Sequence, residues 1–444
     1  MVDVPTSLQQ ETWIRSLATG GRLRAIPSLV EVEGDLDVPA YRTAVADLTA
    51  AHDSLRITFR LADPTTATVV EEGEEPAVRY LDAREAPDVW GDVQRDLSDP
   101  FPLDGTRRIR TVIARTGSDR YLLGLAADHV SLDGLSLGLL ARDLLRRYAA
   151  VRTGQPRRTT PAPSYADFAR RQRVLLAGEW GTRRREYWFH QFDRWGPHQP
   201  GSPLAVPPTP GSEGRSMILR ATLGPQTTDT LEQTARRHGT TRFGVLAAAL
   251  SRAQLVASDA ATAGVVADFH GRVMPSTWLT LGLFSHGIRL FLDRAEAADM
   301  PTAVRVFTSR LDETHRYGLP LRPLTAAWLA QRGVEQGYGE PHYVYLGVRP
   351  RLERYLGSHT DLRVTPVDAG RLSNQAAGYL WLNLAGTVEH PMLEGGFDDV
   401  VFATGTVEEL IHSAFGSLGP ADDLEIVSMP NAAAPLPTPE PAAR

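Results

Sequence analysis

Residues 128–134 read DHVSLDG, and the segments on either side of them indicate how this part of the chain folds. The preceding apolar run, YLLGLAA at 121–127, has the length and character of a buried strand. Residues 134–148 carry leucines at helical spacing and predict a helix. His129 therefore stands at the mouth of a strand-to-helix loop, a usual place to mount a general base on a rigid scaffold.

The composition indicates an ordinary soluble globular protein and excludes several kinds of chemistry. The chain has 444 residues, 42% hydrophobic and 23% charged, which suggests about two to three domain-sized units. It contains no cysteine and no lysine, which excludes disulfides, thiolate catalysis and lysine Schiff bases. The net charge of -6 gives no reason to expect nucleic acid or an anionic membrane. The polar N-terminus and the lack of a long apolar run predict a cytoplasmic protein.

Hydrophobic periodicity predicts a mixed α/β chain in two halves, with a Pro- and Gly-rich linker at 195–214 and an Ala/Pro-rich, disordered tail at 431–444. Segments 110–115 and 121–127 flank a turn and predict a hairpin. The other predicted strands are 29–33, 55–61, 68–71, 78–81, 216–223, 264–269, 287–292, 343–347, 380–384 and 398–402. The predicted helices are 7–17, 38–51, 134–148, 165–177, 179–192, 226–238, 242–257, 301–317, 321–332 and 406–418.

The residues of the DHVSLDG stretch have both functional and structural interpretations. A lone histidine is usually structural, so the residues alone leave both roles of His129 open. Gly134 permits a backbone geometry that other residues cannot reach, and its N–H can face a ligand at a helix start. Asp133 is expected to cap the helix or to pair with an arginine, in preference to acting as a second acid/base group.

Ser136 belongs to a second motif, because residues 134–138, GLSLG, match the G-x-S-x-G nucleophile elbow of α/β-hydrolases. The elbow requires the serine directly at the strand end, whereas eight residues separate Ala127 from Ser136. A serine hydrolase is therefore the lesser alternative. A helix-facing Ser136 hydroxyl near His129 is instead expected to donate to an oxyanion.

Two later segments carry further candidates. Arg272 follows the apolar run 264–269 and is either a solvated arginine or a buried partner of Asp133. His286, beside Phe284, is either a polar group of a pocket or a structural histidine. The sequence contains no metal-ligand spacing, no dinucleotide fingerprint and no Walker motif, so we expect the chain to bind no cofactor of its own.

Six stretches carry a resemblance to a known family: SLQQETW at 7–13, HDSLRITF at 52–59, DHVSLDG at 128–134, YADFARRQR at 165–173, Gly271-Arg272, and LGLF at 281–284. In this order and spacing they resemble the motifs of the condensation domains of non-ribosomal peptide synthetases, which belong to the chloramphenicol-acetyltransferase-like superfamily. The resemblance implies an α/β fold with mixed sheets, in two lobes arranged as a V around a central tunnel. It places the N-terminal lobe at 1–178 and the C-terminal lobe at 179–430.

The resemblance also implies site roles. His129 would assist the nucleophile, the backbone N–H of Gly134 and the side chain of Ser136 would steady the tetrahedral oxyanion, and Asp133 would pair structurally with Arg272. Phe284 and His286 would bind substrate. The co-substrate would be an acyl thioester on a phosphopantetheine arm.

Two departures from the family pattern stand out. Asp128 replaces the first histidine of the core motif, and His286 stands where an asparagine is usual. Asp128 is expected to face away from the substrate, and either to favour the charged form of His129 or to pair with an arginine.

The resulting hypothesis is a free-standing, monomeric acyltransferase of natural-product biosynthesis. It would transfer an acyl group from a carrier-protein or CoA thioester to an amine or hydroxyl, forming an amide or ester, with the carrier protein acting in trans. The alternative is a non-catalytic module that recruits a carrier protein or a tailoring enzyme. No nucleic acid or membrane is expected as a partner.

Overall fold

A computed structural model describes residues 1–17, 23, 25–71, 77–86, 88–155, 162–196, 201–206, 212, 214–333, 342–348, 361–367, 379–387 and 390–431. The chain divides into two compact units, each discontinuous in sequence. The first unit comprises Met1–Thr182, His270–Ser285 and Pro350–Leu372. The second comprises Arg183–Phe269, His286–Arg349 and Ser373–Arg444.

This division differs from a single split at residue 178, because two segments from the second half of the chain belong to the first unit. Segment 270–285 contributes Arg272, which pairs with Asp133, and residues 363–366 add a strand to a sheet of that unit. The V-shaped arrangement of lobes and the tunnel stay predictions.

The first unit contains two sheets. The larger has the strand order β12-β2-β7-β6-β5, and the smaller has the order β1-β4-β3. Their strands are β1 (Val2–Pro5), β2 (Ala25–Glu33), β3 (Ile57–Arg60), β4 (Asp63–Val69), β5 (Ala77–Asp82), β6 (Ile109–Arg115), β7 (Arg120–Asp128) and β12 (Arg363–Pro366). Strands β6 and β7 are antiparallel, which confirms the predicted hairpin.

Helices cover both faces of the larger sheet. The helices that begin in this unit are α1 (Leu8–Leu17), α2 (Val38–Ala51), α3 (Val89–Ser98), α4 (Gly134–Arg152), α5 (Tyr165–Ala177) and α6 (Glu179–Trp195). Leu125 and Ile113 share one apolar cluster with α2 and α4, whereas Leu122 and Val112 share another with α3. Strand β7 is thus buried on both faces, and for this reason its sequence is continuously apolar instead of alternating.

The second unit is built on one seven-stranded sheet with the order β10-β9-β11-β13-β14-β8-β15. Its strands are β8 (Ser216–Leu223), β9 (Thr262–Phe269), β10 (His286–Asp293), β11 (Val344–Val348), β13 (Leu380–Gly386), β14 (Pro391–Asp398) and β15 (Leu424–Pro430). Its further helices are α7 (Pro225–Arg237), α8 (Arg242–Val256), α9 (Met300–Tyr317), α10 (Leu321–Ala330) and α11 (Thr404–Gly416). Helix α8 lies in the centre of the core and is buried along most of its length.

Most of the predicted elements are confirmed, and the failures have local causes. The predicted strand 398–402 is wrong, because the Asp398 carbonyl accepts from the N–H groups of Val401 and Phe402 and so closes a turn. Helix α3, the inner strand β14 and the edge strands β1, β12 and β15 were not predicted. The N–H of Asn431 bonds to Ser216, so the predicted disordered tail does not include that residue. The rest of the predicted tail, 432–444, and part of the linker 195–214 lie outside the described residues.

No helix in the described part of the chain has the length and apolar character needed to cross a membrane.

Candidate active site

His129 lies on a tight turn directly after β7. The carbonyl of Asp128, the last residue of that strand, accepts from the N–H groups of Ser131 and Leu132 at 3.1 and 2.9 Å. The half-buried His129 ring places Nδ1 3.1 Å from the carbonyl oxygen of Leu132. Because a carbonyl only accepts hydrogen bonds, Nδ1 carries the proton, and Nε2 of the neutral ring keeps the lone pair. This is the tautomer that a general base requires at Nε2.

Trp13 of α1 packs against the same ring. The two ring centroids lie 5.0 Å apart at 60°, an edge-to-face arrangement. Trp13 belongs to one of the family-like motifs, but this contact was not predicted. Its partner lies 116 residues later and could not be identified from the sequence.

Asp128 is buried and pairs with Arg108. The two side chains are 1% exposed or less, and Arg108 Nη1 lies 2.9 Å from Asp128 Oδ2. The carboxylate also accepts from the Ser131 hydroxyl at 2.9 Å and from the Val130 N–H at 3.2 Å. Two roles were raised for Asp128, and this geometry corresponds to the second, in which Asp128 pairs with an arginine. Arg108 was not among the predicted site residues.

Asp133 links α4 to segment 270–285. Its Oδ1 caps the helix by accepting from the Ser136 N–H at 2.7 Å. Its Oδ2 accepts from the backbone N–H groups of Phe284 and Ser285 at 3.0 and 3.2 Å, and Arg272 Nη2 lies 3.4 Å from Oδ1. The structure thus gives Asp133 both structural roles that were considered for it, cap and arginine partner.

Ser136 is placed differently from the prediction. Its hydroxyl is fully buried and donates to the Gly282 carbonyl at 2.6 Å. It also accepts from Arg272 Nη2 at 2.7 Å and from the Gly282 N–H at 3.0 Å. A hydroxyl whose proton and lone pairs are used in the interior cannot donate to an oxyanion or act as a nucleophile. We therefore correct the assignment of Ser136 as a catalytic residue and discard the serine hydrolase alternative.

Arg272 and Phe284 are also interior residues. Arg272 Nη1 donates to the carbonyls of Thr277 and Thr280, and its guanidinium lies 4.0 Å from the Phe284 ring centroid. Phe284 is 0% exposed and packs against Tyr165 and Phe168. The prediction that the Phe284 side chain binds substrate is therefore wrong, because that side chain is enclosed by neighbouring side chains.

The family-like motifs meet around Tyr165. Its hydroxyl donates to the Leu283 carbonyl and lies 2.8 Å from the Ser7 hydroxyl, and burial raises its pKa. Gln9 donates to the Phe284 carbonyl at 3.1 Å. Gly282 needs to lack a side chain, because a Cβ there would collide with the Tyr165 ring. Motifs that are far apart in the sequence therefore form one packing unit.

Gly134 and His286 remain candidates. Gly134 is the first residue of α4 and its backbone is helical, so this position does not need a left-handed glycine conformation, contrary to our expectation. Its N–H does belong to the first turn of a 19-residue helix, where the dipole favours negative charge. His286 begins β10 in the second unit, with its half-buried ring against Phe269 at 5.3 Å. Its role in substrate binding stays a prediction.

A second histidine of the first unit, His52, is buried and forms a charged cluster with two partly exposed side chains, which was not predicted from the sequence. His52 is 5% exposed, and its Nε2 lies 3.0 Å from Asp143 Oδ2, which Arg147 also contacts at 3.0 Å. Burial raises the pKa of the Asp143 carboxyl, but hydrogen bonds and charge from His52 and Arg147 lower it by more and hold it at about 2. Among the described residues, no group of three His, Asp or Glu side chains is placed to hold a metal ion.

Comparison with known proteins gives the family of this chain. The sequence profile of the condensation domain matches residues 4–333. The chain is 32% identical over 302 residues to CymA, a probable nonribosomal peptide synthetase of Salinispora arenicola, which covers 64% of this chain and 4% of that protein. It is 27% identical over 250 residues to a linear gramicidin synthase of Brevibacillus parabrevis, covering 54% of this chain and 5% of that protein. The chain thus spans less than a tenth of these relatives.

Solved structures agree on the fold. SgcC5 of Streptomyces globisporus matches with a TM-score of 0.71 at 18% identity over 93% of this chain and 97% of that one. VibH, an NRPS condensation enzyme, matches with a TM-score of 0.68 at 15% identity over 93% and 94% of the two chains. The X-domain in its complex with OxyB from teicoplanin biosynthesis matches with a TM-score of 0.72 at 17% identity over 94% and 93%. The expected mixed α/β fold is confirmed, and the chain belongs to the condensation-domain family, whose relatives include acyl-transferring enzymes.

Proposed function

We propose that this chain transfers an acyl group from a phosphopantetheine thioester to an amine or hydroxyl acceptor in natural-product biosynthesis. The observation that carries the proposal is the Nδ1 contact of His129 with the Leu132 carbonyl, which leaves Nε2 as the basic nitrogen of a half-buried ring. Membership of the condensation-domain family supports the acyl-transfer chemistry.

In the proposed reaction, His129 accepts a proton from the acceptor and later returns it to the leaving group. The acceptor nitrogen or oxygen attacks the thioester carbonyl carbon while its proton passes to Nε2 of His129. The new C–N or C–O bond forms, the C–S bond breaks as the tetrahedral intermediate collapses, and the imidazolium returns the proton to the departing thiolate. No redox step or additional co-reactant is needed.

The oxyanion of that intermediate would be stabilised by the first turn of α4. Ser136 is excluded from this role, because its hydroxyl and its N–H bond to Gly282 and Asp133. The backbone N–H of Gly134 remains the group proposed for it, assisted by the helix dipole. Positioning by the acyl carrier and the acceptor site would supply the remaining rate enhancement.

An in vitro transfer assay tests this function. The purified chain is mixed with acylated carrier proteins supplied as separate polypeptides, or with acyl-CoA, and with panels of amines and alcohols chosen from neighbouring biosynthetic genes. We expect a product that carries the acyl group, and cleavage by hydroxylamine separates esters from amides. Comparing the reactions that contain carrier protein with those that contain acyl-CoA identifies the acyl donor. Because the carrier protein is a separate polypeptide, the same reactions test whether it acts in trans. Absence of any product across both donor classes would contradict the proposal.

A second candidate is a non-catalytic recruiting module. It is favoured by Asp128, which stands in place of the first histidine of the family motif and is locked to Arg108. The X-domain that shares this fold was solved in complex with OxyB. Capture of a tailoring enzyme by the immobilised chain, together with no turnover of any donor, would favour this candidate over acyl transfer.

A further inference from the structure

We propose that Arg108 is a positioning residue, which acts through Asp128 to hold the 128–132 turn so that His129 is kept in the Nδ1–H tautomer. This inference rests on the proposed function for its catalytic meaning. Its structural part concerns only residues of the first unit, and it can be measured without any activity.

Arg108 is held from several sides. It precedes β6, and its own carbonyl accepts the Asp128 N–H at 2.9 Å. The guanidinium is fully buried and donates to backbone carbonyls of two separate segments as well as to Asp128. These carbonyls belong to Ile57, Pro102, Leu103 and Gly105. A planar guanidinium bonded in this way is a fixed point, since its fork geometry leaves little freedom of rotation.

Asp128 links the fixed Arg108 guanidinium to the turn. Its Oδ2 accepts from both Arg108 and the Ser131 hydroxyl, while its Oδ1 accepts from the Val130 N–H. The carboxylate therefore bridges the fixed guanidinium to two residues of the turn. Without the arginine, a buried carboxylate would have no compensating charge and would be driven to rearrange.

The 128–132 turn then determines the tautomer of the His129 imidazole. The Leu132 N–H bonds to the Asp128 carbonyl and holds in place the residue whose carbonyl oxygen accepts from His129 Nδ1, and the N–H of the same peptide as that oxygen, which belongs to Asp133, bonds to the Gly282 carbonyl. The chain of contacts therefore runs from Arg108 through Asp128 and Leu132 to one nitrogen of His129. The Arg108–Asp128 pair thus performs, in this chain, the positioning of the histidine that follows.

The molecule contains a matched internal control. His52 is held by Asp143 through Nε2, and an ionised carboxylate only accepts, so Nε2 of His52 carries the proton. When both rings are neutral, the two histidines therefore have opposite tautomers, that of His52 set directly by Asp143 and that of His129 set by Asp128 through the turn. Replacing one aspartate should change one histidine and leave the other as it was.

Nitrogen-15 NMR of histidine-labelled protein above the titration range of the rings tests the proposal, since protonated and lone-pair ring nitrogens have widely separated shifts. The chain has 12 histidines, and His129→Gln and His52→Gln assign the two signals. We expect wild-type His129 to be Nδ1–H, and Asp128→Asn and Arg108→Gln to convert a large fraction of it to Nε2–H. In the same variants kcat should fall about tenfold while KM stays within about twofold. Asp143→Asn should alter His52 and leave His129 unchanged.

The double variant Arg108→Gln/Asp128→Asn keeps a neutral hydrogen-bonding pair and serves where a single variant fails to fold. We expect it to recover most of the wild-type His129 tautomer. An unchanged His129 signal in the folded single variants would overturn the proposal, as would loss of the wild-type His129 tautomer in the double variant or an equal change of His129 in Asp143→Asn. If the tautomer responds as expected but His129→Ala retains full transfer activity, the proposed function fails while the positioning geometry stands.

Discussion

The two histidines of the first unit, His129 and His52, occupy similar places in the chain but different environments. Each follows the end of a regular element, His129 after β7 and His52 at the C-terminus of α2, and each has an aspartate beside it in sequence. His52 is buried and bonded to a carboxylate, whereas His129 is half-buried and bonded to a backbone carbonyl. The bonding partner and the exposure of the ring, more than the local sequence, separate a structural histidine from a candidate base.

The neighbouring aspartates differ in the same way. Asp53 accepts from the N–H groups of Tyr165 and Ala166 and from the Ser164 hydroxyl, so the 52–53 pair ties α2 to α4 and α5. Asp128 turns inward to Arg108 and supports the loop on which His129 sits. The His52–Asp53 pair therefore joins helices, whereas the Asp128–His129 pair positions the His129 ring. The following predictions separate these two roles.

The largest expected effect concerns the anchor behind the His129 loop. Arg272→Met leaves Asp133 as a buried, unpaired carboxylate and removes a donor to Ser136. We expect the free energy of unfolding to fall by about 3–5 kcal/mol, measured by urea denaturation. The control is Arg170→Met, which breaks a half-exposed pair with Asp167 and should cost less than about 1 kcal/mol. Similar losses in the two variants would show that Arg272 is not an anchor.

His52→Ala comes next and probes the structural histidine. The substitution removes a buried ring and the hydrogen bond to Asp143, so we expect the free energy of unfolding to fall by about 2–3 kcal/mol. Transfer activity of the folded variant should stay within about twofold of wild type. A large loss of activity at unchanged stability would reverse the roles given to the two histidines.

The contribution of Asp143 to the free energy of unfolding should depend on pH. Its folded pKa of about 2 lies below that of an unfolded aspartate, so its stabilising effect is complete above about pH 4 and is lost as the pH falls towards 2. We expect Asp143→Asn to be less stable than wild type by about 2 kcal/mol at pH 7. The difference should shrink steadily in denaturation curves taken between pH 4 and 2. A difference that stays constant over this range would contradict the charged cluster.

Trp13→Leu should have the smallest effect. The substitution keeps an apolar group against His129 and loses only the edge-to-face ring contact, worth about 1 kcal/mol. We expect a comparable loss of stability and a fall of a few-fold in transfer rate, from looser orientation of the imidazole. Trp90→Leu, on helix α3, is the control and should leave the transfer rate unchanged.

The sequence predicted the parts of this site that depend on local pattern. The β7–turn–α4 unit was predicted because an apolar run, a turn and leucines at helical spacing are adjacent in the chain. The Asp133–Arg272 pair was raised from the residues as one of two alternatives, and the family resemblance implied it. Arg108 and the His52–Asp143 pair were missed because their partners are 20 and 91 residues away.

The errors on Ser136 and Phe284 have the same origin. Both lie in motif-like stretches near the expected site, but sequence spacing does not reveal which way a side chain points. Segment 270–285 packs against the start of α4 and encloses both side chains, together with Arg272. Only the tertiary structure distinguishes a residue that supports the site from one that touches substrate.

Comparing the single-turnover rates of His129→Ala and His52→Ala tests the central claim most directly. Each variant is loaded with the same acyl donor and acceptor at saturating enzyme. We predict that His129→Ala transfers the acyl group at least about a hundredfold more slowly than wild type, whereas His52→Ala transfers it at nearly the wild-type rate. Transfer by His129→Ala at the wild-type rate would contradict the account.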